Sequence, residues 1–199
     1  MVAAVLAMCD IATKRNNDNT ASATVPAQTR GLLIVLRVKL ITYSIAEMKR
    51  REIILILDNI RSRENVGSIF RTADAAGVMK IYLCGITPRP PHEKISKTAL
   101  GADTYIPWEY YKNTWRLLEE LKKKEVRIIA LEKTKGAKNI FEIKGKTPLA
   151  LVMGNEVNGL SIEILKRADV VAVIPMRGKK ESLNVAVSAG IAVYAILNS

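Results

Sequence analysis

The sequence predicts an α/β protein with a mostly parallel sheet and helices on both faces. Its apolar residues include five runs of strand length that are continuous rather than alternating, which is typical of strands buried on both faces. Helical spacing of apolar residues occurs in the segments between these runs. With 199 residues and 49% hydrophobic content, the chain can bury one core. The predicted strands are residues 53–57, 81–84, 127–131, 149–153 and 170–174.

Four segments between and after these strands predict helices. The first, residues 66–76, repeats apolar side chains every three or four positions and ends at Gly77, a residue type common just after a helix. Residues 114–124 and 161–167 are the next two predicted helices. The last, residues 183–197, is apolar nearly all round, so we expect it to be buried against the sheet and against a second copy of the chain. The protein is therefore predicted to be a homodimer.

Residues 1–47 differ from the rest of the chain and are predicted to be a separate extension. They carry a net charge of only +2, which leaves +10 for residues 48–199. Residues 16–30 have the weak periodicity of a linker or of disorder. Residues 32–41 are strand-like but too short and too charged to cross a bilayer. Three interpretations stay open for the extension: an added edge strand, a dimer contact, or a segment upstream of a functional start at Met48.

The chain is strongly basic, with 31 Lys and Arg against 19 Asp and Glu and a net charge of +12. Such a charge attracts a polyanion, and nucleic acid is the first candidate. Charge alone does not separate RNA from DNA or from an anionic membrane. The two cysteines, Cys9 and Cys84, offer neither a disulfide framework nor a CxxC metal pattern. A reducing cytoplasm fits this cysteine usage best, and no metal site is predicted.

Two polar residues stand out at the first predicted helix. An Asn before an apolar periodic run is most often an N-cap, and this interpretation is favoured for Asn65 taken by itself. Arg71 falls outside the apolar stripe of the helix, so we expect its guanidinium to point toward the top edge of the sheet. A surface ion pair is the alternative for Arg71.

Two polar turns follow the fourth and fifth predicted strands, which is where open α/β proteins build ligand sites. Residues 154–159 place Glu156 between two glycines, and glycines let backbone groups approach a ligand closely. The second turn ends near Ser182, a candidate N-cap, with Asn184 in the first turn of the last helix. Exposed N–H groups at that helix start suit a carboxylate or another anionic group. Each turn alone is also compatible with an ordinary strand-to-helix connection.

In combination, three segments resemble the motifs of the SpoU/TrmH RNA ribose methyltransferases of the SPOUT superfamily: NVGSIFRTADAAG, LVMGNEVNGLS and IPMRGKKESLNVAVSAGIAVY. The resemblance covers residues 53–198 and does not extend to residues 1–47. It implies a C-terminal trefoil knot that holds S-adenosylmethionine, and methyl transfer to a ribose 2'-hydroxyl of tRNA or rRNA. Residues 48–199 would then be the methyltransferase catalytic domain. The implied cofactor bed consists of Met153, Gly154, Asn155, Glu156, Ile174, Met176, Ser182, Leu183 and Asn184.

The same resemblance places the family's catalytic arginine on Arg71 and its first-motif asparagine on Asn65, with Glu156, Ser182 and Asn184 completing the implied catalytic set. A ribose hydroxyl is weakly acidic, so its proton must be accepted or its developing charge stabilised. Arg71 suits stabilisation because a guanidinium normally stays protonated, and whether it acts as stabiliser or as base is left open. The cofactor already carries the activated methyl group, so no metal is required.

Basic residues in the loops are predicted to contact RNA, with phosphates setting affinity and an unstacked nucleotide setting specificity. Two other functions stay open: a SPOUT enzyme that methylates a base, and a catalytically silent RNA-binding or ribosome-assembly factor. A dinucleotide-dependent dehydrogenase is disfavoured because no GxGxxG follows the first strand. The predicted RNA contacts are Arg61, Arg63, Arg89, Lys94, Lys179 and Lys180, together with Lys49, Arg50, Arg51 and Lys97.

Overall fold

A computed structural model describes residues 52–199 of the chain. The predictions for residues 1–47, and for Lys49, Arg50 and Arg51, lie outside this part. The described residues form seven strands: β1 (Ile53–Asp58), β2 (Lys80–Cys84), β3 (Trp108–Tyr111), β4 (Arg127–Leu131), β5 (Lys138–Asn139), β6 (Leu149–Met153) and β7 (Val170–Val173). They build one sheet in the order β3-β2-β1-β6-β4-β7-β5, in which every neighbouring pair is parallel.

All five predicted strands are confirmed to within one residue at each end. The two strands that were not predicted, β3 and β5, lie at the two edges of the sheet. In β3, Glu109 and Tyr110 are exposed, so this strand lacks the continuous apolar run of a central one. Strand β5 has only two residues, which is too short for any pattern to indicate. Edge strands are therefore the part of the sheet that apolar continuity does not predict.

Helix α1 (Arg63–Ala76) begins earlier than its apolar pattern indicates. Its N-cap is Ser62, whose hydroxyl accepts a hydrogen bond from the Asn65 N–H at 3.1 Å. The N-cap interpretation of Asn65 is therefore wrong, because this residue already lies in the first helical turn. The first three residues of the helix carry no apolar side chain buried in the core, so the periodic pattern starts only at Val66. The predicted end is confirmed, since Gly77 caps the helix in the left-handed conformation at φ 68°.

The other helices of the described part differ in how well they were predicted. Three predicted helices are present at α4 (Thr114–Lys123), α5 (Ile162–Leu165) and α6 (Val185–Leu197), although α5 is shorter than expected. Two short helices, α2 (Glu93–Ala99) and α3 (Ala102–Tyr105), were not predicted, since they are too short for a clear helical period. The N-cap of α2 is His92, whose Nδ1 accepts a hydrogen bond from the Lys94 N–H at 3.2 Å.

The sheet separates two apolar cores, and the side chains of β1 contribute to both. Ile53, Leu55 and Leu57 pack in the core that contains α1, α2 and α6. Ile54 and Ile56 point to the opposite face and pack in the core that contains α4 and α5. The expectation of helices on both faces of a mostly parallel sheet is confirmed. The carboxyl ends of the strands are left free to carry polar loops.

Candidate active site

A cleft of about 650 Å³ lies at the carboxyl ends of β4, β6 and β7. Its size falls within the roughly 300–1,000 Å³ typical of small-molecule sites. It is where an open α/β fold is expected to bind a ligand. The structure brings together in its lining all nine residues predicted to hold the cofactor: Met153, Gly154, Asn155, Glu156, Ile174, Met176, Ser182, Leu183 and Asn184.

The turn after β6 is held in shape by the side chain of Asn155. Its Oδ1 accepts hydrogen bonds from the N–H groups of Val157 at 2.9 Å and Asn158 at 3.0 Å. Its Nδ2 donates to the Asn59 carbonyl at 2.7 Å, which ties the turn to the loop after β1. The polar groups of this amide are thus engaged in building the turn. Asn155 is best described as a residue that shapes the cleft wall.

Both glycines of this turn are required by its geometry. At Gly154, an added Cβ would lie 2.7 Å from the Gly159 carbonyl carbon and 2.8 Å from the Leu160 nitrogen. At Gly159, the backbone adopts φ 65°, a region that side chains rarely tolerate. A Cβ there would also lie 2.3 Å from a carboxylate oxygen of Glu132. At Gly154 the backbone itself leaves no room for a Cβ, whereas at Gly159 the positive φ and the Glu132 carboxylate both disfavour a side chain.

Glu156 links this turn to the start of α1. Its carboxylate accepts hydrogen bonds from the N–H groups of Arg61 at 3.1 Å and Ser62 at 3.4 Å, and from Asn65 Nδ2 at 3.1 Å. Asn65 Oδ1 in turn accepts a hydrogen bond from Asn184 Nδ2 at 3.0 Å. The three segments singled out in the sequence are thus joined by one hydrogen-bonded chain, with Asn65 at its centre.

The hydrogen bonds to Glu156 also fix its charge. Partial burial raises the pKa of this carboxyl, but the hydrogen bonds from its own backbone, Arg61, Asn65 and Ser62 together lower it below its ordinary value. Glu156 is therefore ionised at neutral pH and acts only as an acceptor. A carboxylate with a lowered pKa is a weak base, so positioning is the role that this geometry favours for Glu156.

At the start of α6, the capping residue is Asn184 rather than Ser182. Asn184 Oδ1 accepts hydrogen bonds from the N–H groups of Ala186 at 2.9 Å and Val187 at 3.4 Å. The prediction that Ser182 caps this helix, with Asn184 inside it, is wrong by two residues. The reason is that the chain remains non-helical through Leu183, which is 40% exposed and lines the cleft. Ser182 is also part of the cleft lining.

Arg71 lies on the exposed side of α1 and is not among the residues that line the cleft. The five ion pairs formed within residues 52–199 do not include it. The alternative interpretation of Arg71 as a member of a surface ion pair therefore finds no partner in the described part. Its catalytic assignment stays a prediction.

The predicted RNA contacts in the described part are exposed. Arg61 and Arg63 flank Ser62 at the start of α1, beside the Glu156 carboxylate. Arg89 stacks over the ring of Tyr110, with 4.3 Å between the guanidinium carbon and the ring centroid. Lys94 pairs with Glu64 at 3.6 Å, which partly neutralises it. The remaining predicted contacts are Lys97, Lys179 and Lys180.

Several lining residues were not predicted from the sequence. Glu132 directly follows β4, and Lys133 comes next and pairs with Glu181 at 3.5 Å. Their position after a buried strand is the same signal that identified the other two turns, so they could have been found by it. The other unpredicted lining residues are Leu131, Val157, Gly159, Val173, Val185 and Ser188.

Three further features of residues 52–199 concern metal binding, membrane crossing and a thiol nucleophile. This part contains no group of three or more His, Cys, Asp or Glu side chains placed to hold a metal ion. None of its helices is long and apolar enough to cross a membrane. Burial raises the pKa of Cys84 to about 12, so its thiol is protonated and a poor nucleophile.

Comparison with known proteins connects this site to one family. A sequence model described as the SpoU rRNA Methylase family matches residues 52–194. The tRNA (guanosine(18)-2'-O)-methyltransferase of Aquifex aeolicus is 34% identical over 152 residues, which is 75% of this chain and 71% of that enzyme. In two further curated relatives, the match with this chain covers only 62% of the length of one and 57% of the length of the other.

Two solved structures share the fold at more than 30% identity. The TrmH/SpoU tRNA modifying enzyme of A. aeolicus has a TM-score of 0.69 at 31% identity, covering 82% of this chain and 83% of its own. The AdoMet-bound rRNA methyltransferase of Sinorhizobium meliloti has a TM-score of 0.67 at 31% identity, covering 74% of this chain and 56% of its own. Because the family match includes the cleft, the glycine turn and the start of α6, the chain belongs to the SpoU rRNA methylase family.

Proposed function

We propose that this protein transfers a methyl group from S-adenosylmethionine to a ribose 2'-hydroxyl of tRNA or rRNA. The observation that carries this function is the hydrogen-bonded chain from Asn184 through Asn65 to Glu156, which joins three segments beside one cleft. Membership of the family supports the same chemistry. The Aquifex relative is named for a tRNA guanosine and the Sinorhizobium neighbour for rRNA, so both RNA classes stay candidates.

The lining of the cleft supports S-adenosylmethionine as the cofactor. Ile174, Met176 and Leu183 give it apolar surface, and the exposure of Leu183 leaves that surface free to cover a planar base. The tight turn at Gly154 brings backbone groups to the same wall. A solved neighbour contains AdoMet, which supports this choice of cofactor. When bound, the cofactor supplies the activated methyl group, while the chain's own residues position it and the RNA.

Two roles suit Arg71 in this reaction. As a cation it would hold a phosphate of the RNA and stabilise the negative charge that develops on the ribose oxygen. A guanidinium normally stays protonated and is therefore not suited to accept a proton. Stabilisation is therefore the role we assign to Arg71. Glu156, Asn65 and Asn184 position the segments around the cleft.

The charge of the described part favours a polyanion as the partner, and membership of the family makes RNA the candidate. Residues 52–199 contain 23 Lys and Arg against 16 Asp and Glu. Many of the cations lie in loops at the carboxyl edge of the sheet, the edge that also carries the cleft. These positive charges attract a phosphate backbone, and they make the binding of that backbone dependent on salt concentration. The cations of these loops are Arg61, Arg89, Lys133, Lys135, Arg177, Lys179 and Lys180.

Methyl transfer is tested directly by incubating the protein with labelled S-adenosylmethionine and total RNA. We expect the label to appear in RNA as dinucleotides resistant to alkaline hydrolysis, because a 2'-O-methyl group removes the hydroxyl that attacks the neighbouring phosphate. Label on a base would instead indicate a base methyltransferase. RNA binding with no transfer would indicate a silent binding factor, and either result would contradict the proposed activity.

We further infer that the active unit is a homodimer that uses the outer face of α6. Within one protomer this helix buries Val185, Ala189 and Ile196, but it leaves Val187 51% and Tyr194 46% exposed. An apolar helix face open to water favours a second copy. The prediction that most faces of α6 are covered is therefore met only when a second copy of the chain packs on this exposed face.

Sedimentation at micromolar concentration is expected to give the mass of a dimer. Replacing Val187 and Tyr194 with Glu should shift the protein toward the monomer, because each change puts a charge into the interface. The matched control is Ile162→Glu, because Ile162 is an exposed apolar residue of a different helix, α5. Val78 does not serve as a control, since it is buried. A wild-type monomer with full methyl transfer would refute the dimer.

Two finer features of the family are also part of this proposal. We infer that the C-terminal chain threads through a loop as a trefoil knot, an exception to the usual rule for chain connections. The arrangement of β6 between β1 and β4, with the loops after β6 and β7 on one cleft, supports it. We also infer a cytoplasmic location, where tRNA and rRNA substrates are found.

A further inference from the structure

We propose that the carboxylate of Glu132 binds the two ribose hydroxyls of the cofactor and so selects a ribonucleoside over a deoxyribonucleoside. This role rests on the proposed function and adds a recognition group to the same cleft. Glu132 was not singled out in the sequence, although it directly follows β4, and the role proposed for it rests on contacts made across the sheet.

The backbone of Glu132 is anchored at the rim of the cleft. It follows the last residue of β4, and its N–H donates to the Ala172 carbonyl of β7 at 2.9 Å. Its side chain is half-buried and belongs to the cleft lining. The hydrogen bond to β7 fixes the backbone from which this side chain extends. Glu132 is therefore placed as a fixed group of the cleft wall.

Both oxygens of this carboxylate are held by backbone donors. Oε1 accepts a hydrogen bond from the Lys133 N–H at 2.9 Å, and Oε2 accepts one from the Leu160 N–H at 2.8 Å. An ionised carboxylate offers about four acceptor positions, so two stay available. The two oxygens lie side by side, which matches two neighbouring hydroxyl donors. Dinucleotide-binding proteins use an acidic side chain at a strand end for the same purpose.

The other two carboxylates of the cleft are less suited to this task. Glu156 already accepts three hydrogen bonds from Arg61, Ser62 and Asn65. The side chain of Glu181 is 86% exposed and pairs with Lys133 at the mouth of the cleft. Within the described part, the ion pairs do not include Glu132, so its charge is not neutralised by a Lys or Arg. Glu132 is thus the half-buried carboxylate of the lining, and it keeps two acceptor positions free.

Gly159 lets the carboxylate occupy this position. An added Cβ at that residue would lie 2.3 Å from Glu132 Oε2 and 2.9 Å from its carboxyl carbon. The glycine thus allows the Glu132 side chain to lie directly against the turn after β6. As a result, the acceptor group is fixed before a ligand arrives, which lowers the entropic cost of binding.

The test compares ligands with and without ribose hydroxyls. Calorimetry with S-adenosylhomocysteine, and with its 2'-deoxy and 3'-deoxy analogues, should show that the wild type prefers the intact ribose by about tenfold or more, the scale of a hydrogen bond to a charged group. Glu132→Ala should bind all three ligands with nearly equal affinity, and Glu132→Gln, which keeps one acceptor oxygen but loses the charge, should show a smaller preference for the intact ribose than the wild type. Glu93→Gln, an exposed change at the start of α2, should keep the wild-type preference.

A purely structural role for Glu132 predicts a different pattern. If this side chain only holds the turn at Leu160, its variants should weaken all three ligands by the same factor and keep the preference for the intact ribose. That result, or a wild type that does not discriminate among the ligands, would overturn the role proposed for Glu132. If the wild type binds none of the ligands, the proposed function itself fails. Glu132→Gln preserves side-chain size, so a folding defect in Glu132→Ala leaves the comparison intact.

Discussion

Replacing Arg71 with Ala is expected to lower the turnover of methyl transfer by roughly 10² or more, the scale seen when one electrostatic stabiliser is removed. The side chain is exposed on α1 and lies outside the lining of the cleft, so fold and cofactor binding should stay close to wild type. The loss should therefore fall on turnover rather than on cofactor affinity. Single-turnover methylation of a matched RNA, together with calorimetry of the cofactor, measures the two effects separately.

Arg71→Lys provides the second variant of this experiment. A lysine keeps the charge but loses the planar fork that binds two oxygens, so it should restore little of the activity. Arg116→Ala, on α4, is the matched control, because it removes an exposed-helix arginine away from the cleft. Equal single-turnover rates for the wild type and Arg71→Ala would make Arg71 a structural residue and would remove the main support for its catalytic role.

The second large effect is expected at Gly154. Replacing it with Val should abolish detectable cofactor binding, because even the first added carbon collides with Gly159 and Leu160 of the same turn. The physical cause is therefore a turn forced open, rather than a side chain that fills the cleft. Calorimetry with S-adenosylmethionine, supported by a thermal melting curve, distinguishes lost binding from lost folding.

Gly178 provides the matched control for this change. A Cβ at Gly178 meets no atom within 4 Å, so Gly178→Val should leave cofactor affinity near that of the wild type. If Gly154→Val binds the cofactor as tightly as Gly178→Val does, the turn after β6 is not part of the cofactor site. Failure of the wild type to bind at millimolar cofactor would contradict the site as a whole.

The sequence was most informative where one residue pattern serves one structural purpose. The run at residues 53–57 is apolar throughout because β1 contributes to two cores, and its strand was predicted correctly. Helix starts were predicted less well. The pattern cannot show that Ser62 accepts the Asn65 N–H, because Ser and Asn are both common N-cap residues. The same ambiguity led to the wrong cap at Ser182.

The sequence predicted which residues line the candidate site, but it did not predict the hydrogen bonds that connect them. All nine proposed cofactor residues line one cleft, since the carboxyl ends of parallel strands meet at one edge of the sheet. The position of Glu132 after β4 could have indicated it, but its hydrogen bond from the Leu160 N–H could not be predicted, because the two residues are 28 apart along the chain. They meet because β6 inserts between β1 and β4, which no local pattern indicates.

The central amide of Asn65 makes the two sides of the site thermodynamically dependent on each other. It donates to Glu156 and accepts from Asn184, so ordering either cleft segment stabilises the start of α1, where Arg61 and Arg63 lie. A small molecule that orders the cleft would therefore increase the affinity of this segment for phosphate. Because such coupling is reciprocal, a bound polyanion must strengthen small-molecule binding by the same factor. The doubly occupied and the empty enzyme are then populated at the expense of the two singly occupied forms, so occupancy of the two sites rises together.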